Sequence, residues 1–558
     1  MCGRRWPERR SRVVAVNVRP PDLTPDVDLV AASGTGPVRV RRPAYRSFLP
    51  PCHEHCPAGE GVEAWLAHAA AGRYREAWDT IVRDNPLPAV HGRVCYHPCE
   101  SACNRAELES AVSIHAVERY VGDLALEADW PLPSGAAPSG YRVLVVGAGP
   151  AGLSAAYHLA RLGHAVEIHD AGKLAGGMMR FGIPAYRLPR AVLEHEVRRL
   201  EAFGIRLVSG QRIDDLLASR TSGRFDAVFV AIGAHLAQRI DIPAHDATRL
   251  LDAMSLLREV SAGGRPQLGR RVVVYGGGNT ALDAARTAKR LGATDPLIVY
   301  RRDRAHMPAR AFEAQEAEEE GVRFKWLSTI RELEREGIMV EQMRLDAQGR
   351  PQPTGRLERI DADTVVLAVG QQSESAFLAR IPGIELTEGG TVKVGANLMT
   401  GHPGIFAGGD LVPGERTVTA AVGHGRRAAR HIDAWLRGAA DEAPVLPPRV
   451  TFSMLHLPLF SDVVCAVEAR QPADSRTRDF SEVMAGLSAP QAAREAERCL
   501  SCGHCYECDI CQAACPERAI ARLGPGRGYR IDYGRCTGCA VCFEACPCHA
   551  IEMADERA

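Results

Sequence analysis

Cysteine spacing carries the plainest chemistry in the chain. Cys505, Cys508, Cys511 and Cys515 are followed by Pro516, and the pattern recurs as Cys536, Cys539, Cys542 and Cys546 followed by Pro547. Two such runs have the spacing of bacterial proteins that bind a pair of [4Fe–4S] clusters, where the fourth cysteine of each run ligates the other cluster. On that pattern Cys546 joins Cys505, Cys508 and Cys511, and Cys515 joins Cys536, Cys539 and Cys542. Zinc is the competing metal, but its sites usually draw on separated pairs rather than two runs of four closed by proline.

Most remaining cysteines also group: Cys52, Cys56, Cys95, Cys99 and Cys103 near the amino terminus, and Cys499 and Cys502 just ahead of the first run. Cys2 stands alone, and Cys465 and Cys548 read as structural thiols. A large chain with tightly spaced cysteines fits metal binding in a reducing compartment better than a disulfide framework. No cysteine occurs between Asn104 and Val464, which leaves no dithiol for disulfide exchange in the middle of the chain.

The elements that would serve these clusters must lie in that cysteine-free middle. Residues 141–146 form a short apolar, β-branched run that fits a buried strand, and it leads straight into Gly147, Ala148, Gly149, Pro150, Ala151 and Gly152 and then a helical pattern. This is a dinucleotide fingerprint in its required strand–turn–helix context. Gly147 permits the tight turn, Gly149 lets backbone approach a pyrophosphate, and Gly152 allows close helix–strand packing. The next strand ends at Asp170, placed to accept hydrogen bonds from an adenosine ribose. The rival reading is a tight structural turn.

A second unit follows at 271–275, with Gly276, Gly277, Gly278, Asn279, Thr280 and then Ala281 in place of the third glycine. Its next strand ends in Arg301 and Arg302, where an NAD site would usually carry a carboxylate. Two guanidinium groups suit the 2′-phosphate of NADP, although an exposed basic strand end is the plainer alternative. Apolar strands ending at Gly233 and Gly370 fit the crossings between the two halves.

Taken together these motifs resemble the flavoproteins with two dinucleotide-binding domains, in particular the glutamate synthase small-subunit and dihydropyrimidine dehydrogenase group. Gly176 and Gly177, opening a segment that runs to Pro189, resemble that group's flavin-side segment. Gly409 and Asp410, with Thr417 and Thr419, resemble its FAD ribityl and pyrophosphate end. Tyr300, Arg301 and Arg302 with Met307 resemble its NADPH segment, and the likeness runs from about Arg46 to Arg430. It implies FAD on the first fingerprint and NADPH on the second, with Gly276, Gly278, Asn279, Thr280 and Gly370 at the nicotinamide nucleotide.

The resemblance reaches the amino-terminal cysteines, which match a helical domain with two [4Fe–4S] clusters but lack its usual opening Arg-Cys-Leu-x-Cys piece. Arg498, Cys499, Leu500, Ser501 and Cys502 look like that piece. The resemblance therefore implies that Cys499 and Cys502 fold back to join Cys52 and Cys103, with free thiols as the alternative. A second cluster would take Cys56, Cys95 and Cys99. Its fourth ligand by position would be Glu118, unless that residue is simply a surface glutamate.

The expected fold is multidomain α/β, with a helical iron–sulfur domain, two Rossmann-like domains for FAD and NADPH, and a carboxyl-terminal bacterial ferredoxin-like α+β domain. The expected boundaries are an Arg-rich polar arm over 1–45, the helical cluster domain over 46–135, FAD-binding parts over 141–260 and 376–440, the NADPH domain over 265–375, a linker over 441–498, and the ferredoxin domain over 499–558. Sixty-eight basic residues balance 68 acidic ones, so no net field favours nucleic acid or a membrane surface. No apolar run suits a membrane span or secretory signal, which points to the cytoplasm.

The expected activity is NADPH-linked electron transfer through FAD and [4Fe–4S] clusters, to or from a redox partner such as ferredoxin or a 2-oxoacid:acceptor oxidoreductase. A glutamate synthase small subunit and a docking subunit without turnover are the alternatives.

Overall fold

The computed structural model describes residues 39–238, 240, 242–243, 249–440, 445–456 and 462–556. The arginine-rich stretch through residue 38, with Cys2, lies outside them. Two five-stranded parallel sheets organise the middle of the chain. In the first, strands run in the order Ile405–Ala407, Ala227–Val230, Arg142–Val146, Ala165–Asp170, Arg206–Ser209. The central strand is buried along Val143, Leu144, Val145 and Val146, as its run of apolar β-branched residues requires when both faces are covered. The helix Pro150–Arg161 follows it, with Pro150 at its first turn, where a missing N–H costs nothing.

The second sheet runs Arg323–Lys325, Asp295–Val299, Arg271–Tyr275, Thr364–Leu367, Arg249–Asp252. Its last strand corrects the expected boundary at 260. Arg249–Asp252 pairs in parallel with Thr364–Leu367, and the helix Ala253–Ser261 packs beside it, so this stretch belongs with the nicotinamide half. A three-stranded antiparallel sheet, Ser328–Glu334, Gly337–Leu345 and Pro351–Asp361, elaborates the same half. Leu236–Ala237 pairs with Gln371–Gln372 where the chain crosses between the halves.

The helical domain forms from Pro51–His55, Val62–Ala70, Tyr74–Ile81, Pro88–Val94, Pro98–Ser101 and Ile114–Glu127. Trp65 and Trp78 are fully buried at its centre among Ile81, Val117 and Val121. Truncating either tryptophan to alanine would cost about 3–5 kcal/mol.

The stretch 441–498 is more than a linker. Its helix Ala489–Glu497 packs into the helical domain's core through Ala492 and Ala496, and Arg476 is buried against Glu319 and Glu320. Sparse apolar content hid this from the sequence, because small alanines and ion pairs to partners distant in the chain hold it.

A smaller compact unit contains residues 39–45, 507–546 and 551–556, while 46–506 and 547–550 belong to the larger one. In the smaller unit Arg41–Tyr45 pairs antiparallel with Ile551–Asp555, and Ile520–Arg522 with Tyr529–Ile531. The expected arm therefore ends in a strand, and Cys499 and Cys502 fall outside the ferredoxin-like unit.

Candidate functional site

The first fingerprint turn is shaped as its glycines require. A Cβ on Gly147 would overlap the Ala231 carbonyl, whereas one on Gly149 would meet nothing within 4 Å. Open space at the second glycine is the cradle that a pyrophosphate needs. Asp170 accepts hydrogen bonds from the N–H groups of Ala148 and Gly172, both at 2.6 Å, so its carboxylate braces the turn. Gly176 donates to the Ala148 carbonyl at 2.8 Å, and Gly177 lies against Gly149. Residues Ala151 and Gly152 are buried in the helix that starts there.

The helix Val418–Arg437 packs against the first fingerprint helix. Thr417 caps it, its side chain accepting from the Ala420 N–H at 3.1 Å. Gly409 donates its N–H to His424 Nδ1 at 3.0 Å, a contact with no signature in the sequence. Burial pushes the Asp410 carboxyl up to about 6 despite the Arg416 guanidinium. Thr419 is buried with its hydroxyl beside the Cys95 sulfur, so it faces the cluster domain as well as the flavin end.

The second fingerprint repeats the first. A Cβ on Gly276 would overlap the Ala368 carbonyl, and one on Gly278 would again meet nothing within 4 Å. Arg301 is exposed and Arg302 half-buried, and neither forms an ion pair among the described residues. Two unpaired guanidinium groups beside an open fingerprint fit a phosphate. Gln371 donates to Thr280 at 3.4 Å, and Gly370 accepts the Gln238 N–H at 2.9 Å, so the crossing strands abut the same turn.

Asn279 also has protein partners. Its Nδ2 donates to the Tyr96 hydroxyl at 2.5 Å and its Oδ1 accepts the Arg310 N–H at 3.1 Å. The side chain anchors the nicotinamide helix to the loop just after Cys95. Tyr96 escaped the sequence reading, although adjacency to a cysteine at cluster spacing was the available signal.

Cys52, Cys103, Cys499 and Cys502 line one cavity together with Glu63 and Asn104. The fold-back that the resemblance implied thus brings four thiols together across the length of the chain. Burial, then the proximity of Cys499, Cys103 and Cys502, pushes the Cys52 thiol well up. Such thiols become thiolates only with a cation to hold them. Asn104 donates to the Cys502 sulfur at 3.4 Å and the Ser501 N–H to Cys499 at 3.4 Å, the N–H···S contacts that tune iron–sulfur clusters.

Cys56, Cys95 and Cys99 form a second group of neighbours, and Glu118 lies near both Cys56 and Cys95. Glu118 is only 5% exposed, which removes the surface reading. It shares Asn85 with Glu60 and approaches His91, three buried polar residues that sequence gave no reason to single out.

In the smaller unit, Cys515, Cys536, Cys539 and Cys542 line one cavity, the crosswise set expected from the repeat. Backbone N–H groups of Ala519 and Gly538 donate to Cys515 at 3.3 Å and Cys536 at 3.4 Å. Cys511 lies beside Cys508 and Cys546 and bonds the Tyr45 hydroxyl at 3.1 Å. Cys505 falls in the larger unit. Cys465 bonds Ser113 at 3.1 Å and Cys548 is buried, as structural thiols are.

These thiol groups suit [4Fe–4S] clusters, and the two open fingerprints suit a flavin and a nicotinamide dinucleotide. Residues 141–425 match the pyridine nucleotide-disulphide oxidoreductase family. The chain belongs to that family. Two further matches flank the oxidoreductase region: dihydropyrimidine dehydrogenase domain II, 4Fe-4S cluster, over 45–130, and the 4Fe-4S dicluster domain over 504–550.

The chain is 36% identical over 507 residues to the NADP(+)-dependent formate dehydrogenase subunit beta of Moorella thermoacetica, covering 82% of this chain and 71% of the other. It is 34% identical over 523 residues to the NADPH-Fe(3+) oxidoreductase subunit beta of Geobacter sulfurreducens, covering 83% and 77%. It is 34% identical over 430 residues to the glutamate synthase [NADPH] small chain of Azospirillum brasilense, covering 71% and 88%. This pyridine nucleotide-disulphide oxidoreductase is an NADP-linked flavin and iron–sulfur enzyme, or the subunit of one.

Among the described residues no helix is long and apolar enough to cross a membrane.

Proposed function

We propose that this chain is the NADPH-handling electron-transfer subunit of a larger redox enzyme, exchanging electrons with a catalytic partner through its ferredoxin-like unit. Bound flavin supplies the conversion between hydride chemistry and single electrons. The chain's own residues supply binding, spacing and exclusion of water. Gly147, Gly149 and the helix from Pro150 hold the FAD pyrophosphate, Asp170 the ribose, and Gly409 and Asp410 the ribityl end. Gly276, Gly278 and Thr280 hold the NADPH pyrophosphate, with Arg301 and Arg302 at its 2′-phosphate.

One observation carries the reading. The loop Cys95–Tyr96 touches both dinucleotide halves, Cys95 lying against Thr419 on the flavin side and Tyr96 bonding Asn279 on the nicotinamide side. A cluster held by Cys95 would stand next to the place where hydride changes hands, which short-range electron transfer requires. Cys52, Cys103, Cys499 and Cys502 would hold a second cluster, and the two cysteine runs would hold the ferredoxin-type pair. The relatives from Moorella thermoacetica and Geobacter sulfurreducens are beta subunits, in keeping with such a division of labour.

The test is NADPH oxidation by the purified chain with a one-electron viologen acceptor, with NADH as control. Turnover with NADPH and little with NADH supports the reading. Absence of turnover together with retained flavin would favour a docking subunit. Glutamine- or ammonia-dependent NADPH oxidation with a large partner would favour a glutamate synthase small subunit.

A further inference from the structure

Beneath Cys56 and Cys95 lies a buried polar group with an unusual charge balance. Glu60 is 2% exposed, Glu118 5%, His91 1% and Asn85 not at all. Two carboxylates placed side by side in an apolar interior repel each other and lose hydration, so something must hold them in place.

Asn85 does this with its whole amide. Its Nδ2 donates to Glu60 Oε1 at 3.0 Å and to Glu118 Oε1 at 2.9 Å, and its Oδ1 accepts the Leu87 N–H at 3.0 Å. His91 Nδ1 stands 3.7 Å from Glu60 Oε1 and 3.9 Å from Glu118 Oε1, on the same side. No hydrogen bond among the described residues reaches Glu118 Oε2. Its side-chain partners, Asn85 and His91, thus meet Glu118 through Oε1.

We infer that Asn85 is a positioning residue for the iron–sulfur cluster of Cys56, Cys95 and Cys99, fixing Glu118 through Oε1 so that Oε2 closes the ligand set. The inference rests on Glu118 being the fourth ligand. A carboxylate is a weaker and more mobile iron ligand than a thiolate, so a fixed rotamer matters more here than at the all-cysteine sites. The same amide nitrogen bridges Glu118 to Glu60, so a change at Asn85 acts on both carboxylates.

Asn85→Asp tests this with least disturbance. It keeps the oxygen that caps Leu87 and turns the shared donor into a third carboxylate. In the full-length holoprotein, iron should fall by about four atoms per chain, the content of one cluster. One cluster's electron paramagnetic resonance signal should vanish, with FAD content and the ferredoxin-type signals unchanged.

The double variant Asn85→Asp with Glu60→Gln returns an amide to the group and should restore both iron and signal. Full iron and an unaltered spectrum in Asn85→Asp would overturn the inference. So would an iron-poor Asn85→Asp that Glu60→Gln does not rescue, because the loss would then be structural. Glu118→Ala separates the underlying reading: full iron and an unchanged spectrum there would refute the carboxylate ligand itself, whereas an iron-poor Glu118→Ala beside an unaffected Asn85→Asp would refute Asn85 alone.

Discussion

Gly423 and Pro57 touch backbone to backbone. A Cβ on Gly423, inside the helix Val418–Arg437, would overlap the Pro57 carbonyl oxygen and sit 2.8 Å from its carbon. Arg426, one turn further on, donates to the carbonyls of Ala58 at 3.1 Å and Gly59 at 2.6 Å. The helix is therefore welded to the segment just after Cys56. Gly423→Ala should push the two apart, at a cost of about 1–3 kcal/mol from overpacking. Calorimetry should show a lower Tm, and stopped-flow mixing with NADPH should show flavin bleaching at the normal rate with slowed cluster bleaching. Unchanged cluster reduction would mean that this contact does not set the distance.

Arg301 and Arg302 have no carboxylate partner among the described residues, so replacing both with alanine removes charge without breaking an ion pair. Charged hydrogen bonds of about 1.5–3 kcal/mol are at stake, or roughly ten- to a hundredfold in affinity. We expect KM for NADPH to rise by that factor with KM for NADH unchanged. An equal rise for both nucleotides would place the 2′-phosphate elsewhere.

Cys499→Ser with Cys502→Ser should remove about four iron atoms per chain while sparing FAD and the ferredoxin-type signals. Iron analysis of the variant against the parent decides it. Unchanged iron would leave these as free thiols, despite the cavity they share with Cys52 and Cys103.

His158 gives a pH signature. It lies in the first fingerprint helix with Nε2 3.1 Å from the Asp84 carbonyl, and burial, with Arg426 and Arg161, pushes its imidazole down to about 3. The unfolded chain takes up a proton below about pH 6.5. The folded chain refuses it until about pH 3. The unfolded state thus binds more protons within that window, and stability falls as pH drops through it, by up to about 1.4 kcal/mol per unit from this group. Above pH 6.5 the group has no effect. Urea unfolding of the parent and of His158→Gln across that window should show a shallower slope in the variant, and parallel curves would contradict the assignment.

Much of this was legible in the sequence because local geometry dictates it. A strand, a glycine turn and a helix must sit together in the chain, so both fingerprints could be read residue by residue, as could the crosswise pairing of the two cysteine runs. The meeting of Cys499 and Cys502 with Cys52 and Cys103 needed the family resemblance, since nothing local brings positions so far apart together. What stayed hidden were long-range polar contacts. Asn85, His91, Tyr96 and Arg476 act through partners distant in sequence and leave no periodicity behind. The place of the strand Arg249–Asp252 in the nicotinamide half is hidden for a similar reason: its parallel partner, Thr364–Leu367, lies far along the chain.

The most direct test of the account is an anaerobic NADPH titration of the full-length protein, following flavin absorbance and cluster electron paramagnetic resonance with iron quantified. NADPH should reduce both the flavin and the clusters, NADH should do neither efficiently, and iron should approach about sixteen atoms per chain for four clusters. Flavin reduction that never reaches the clusters, or iron near eight atoms per chain, would contradict it.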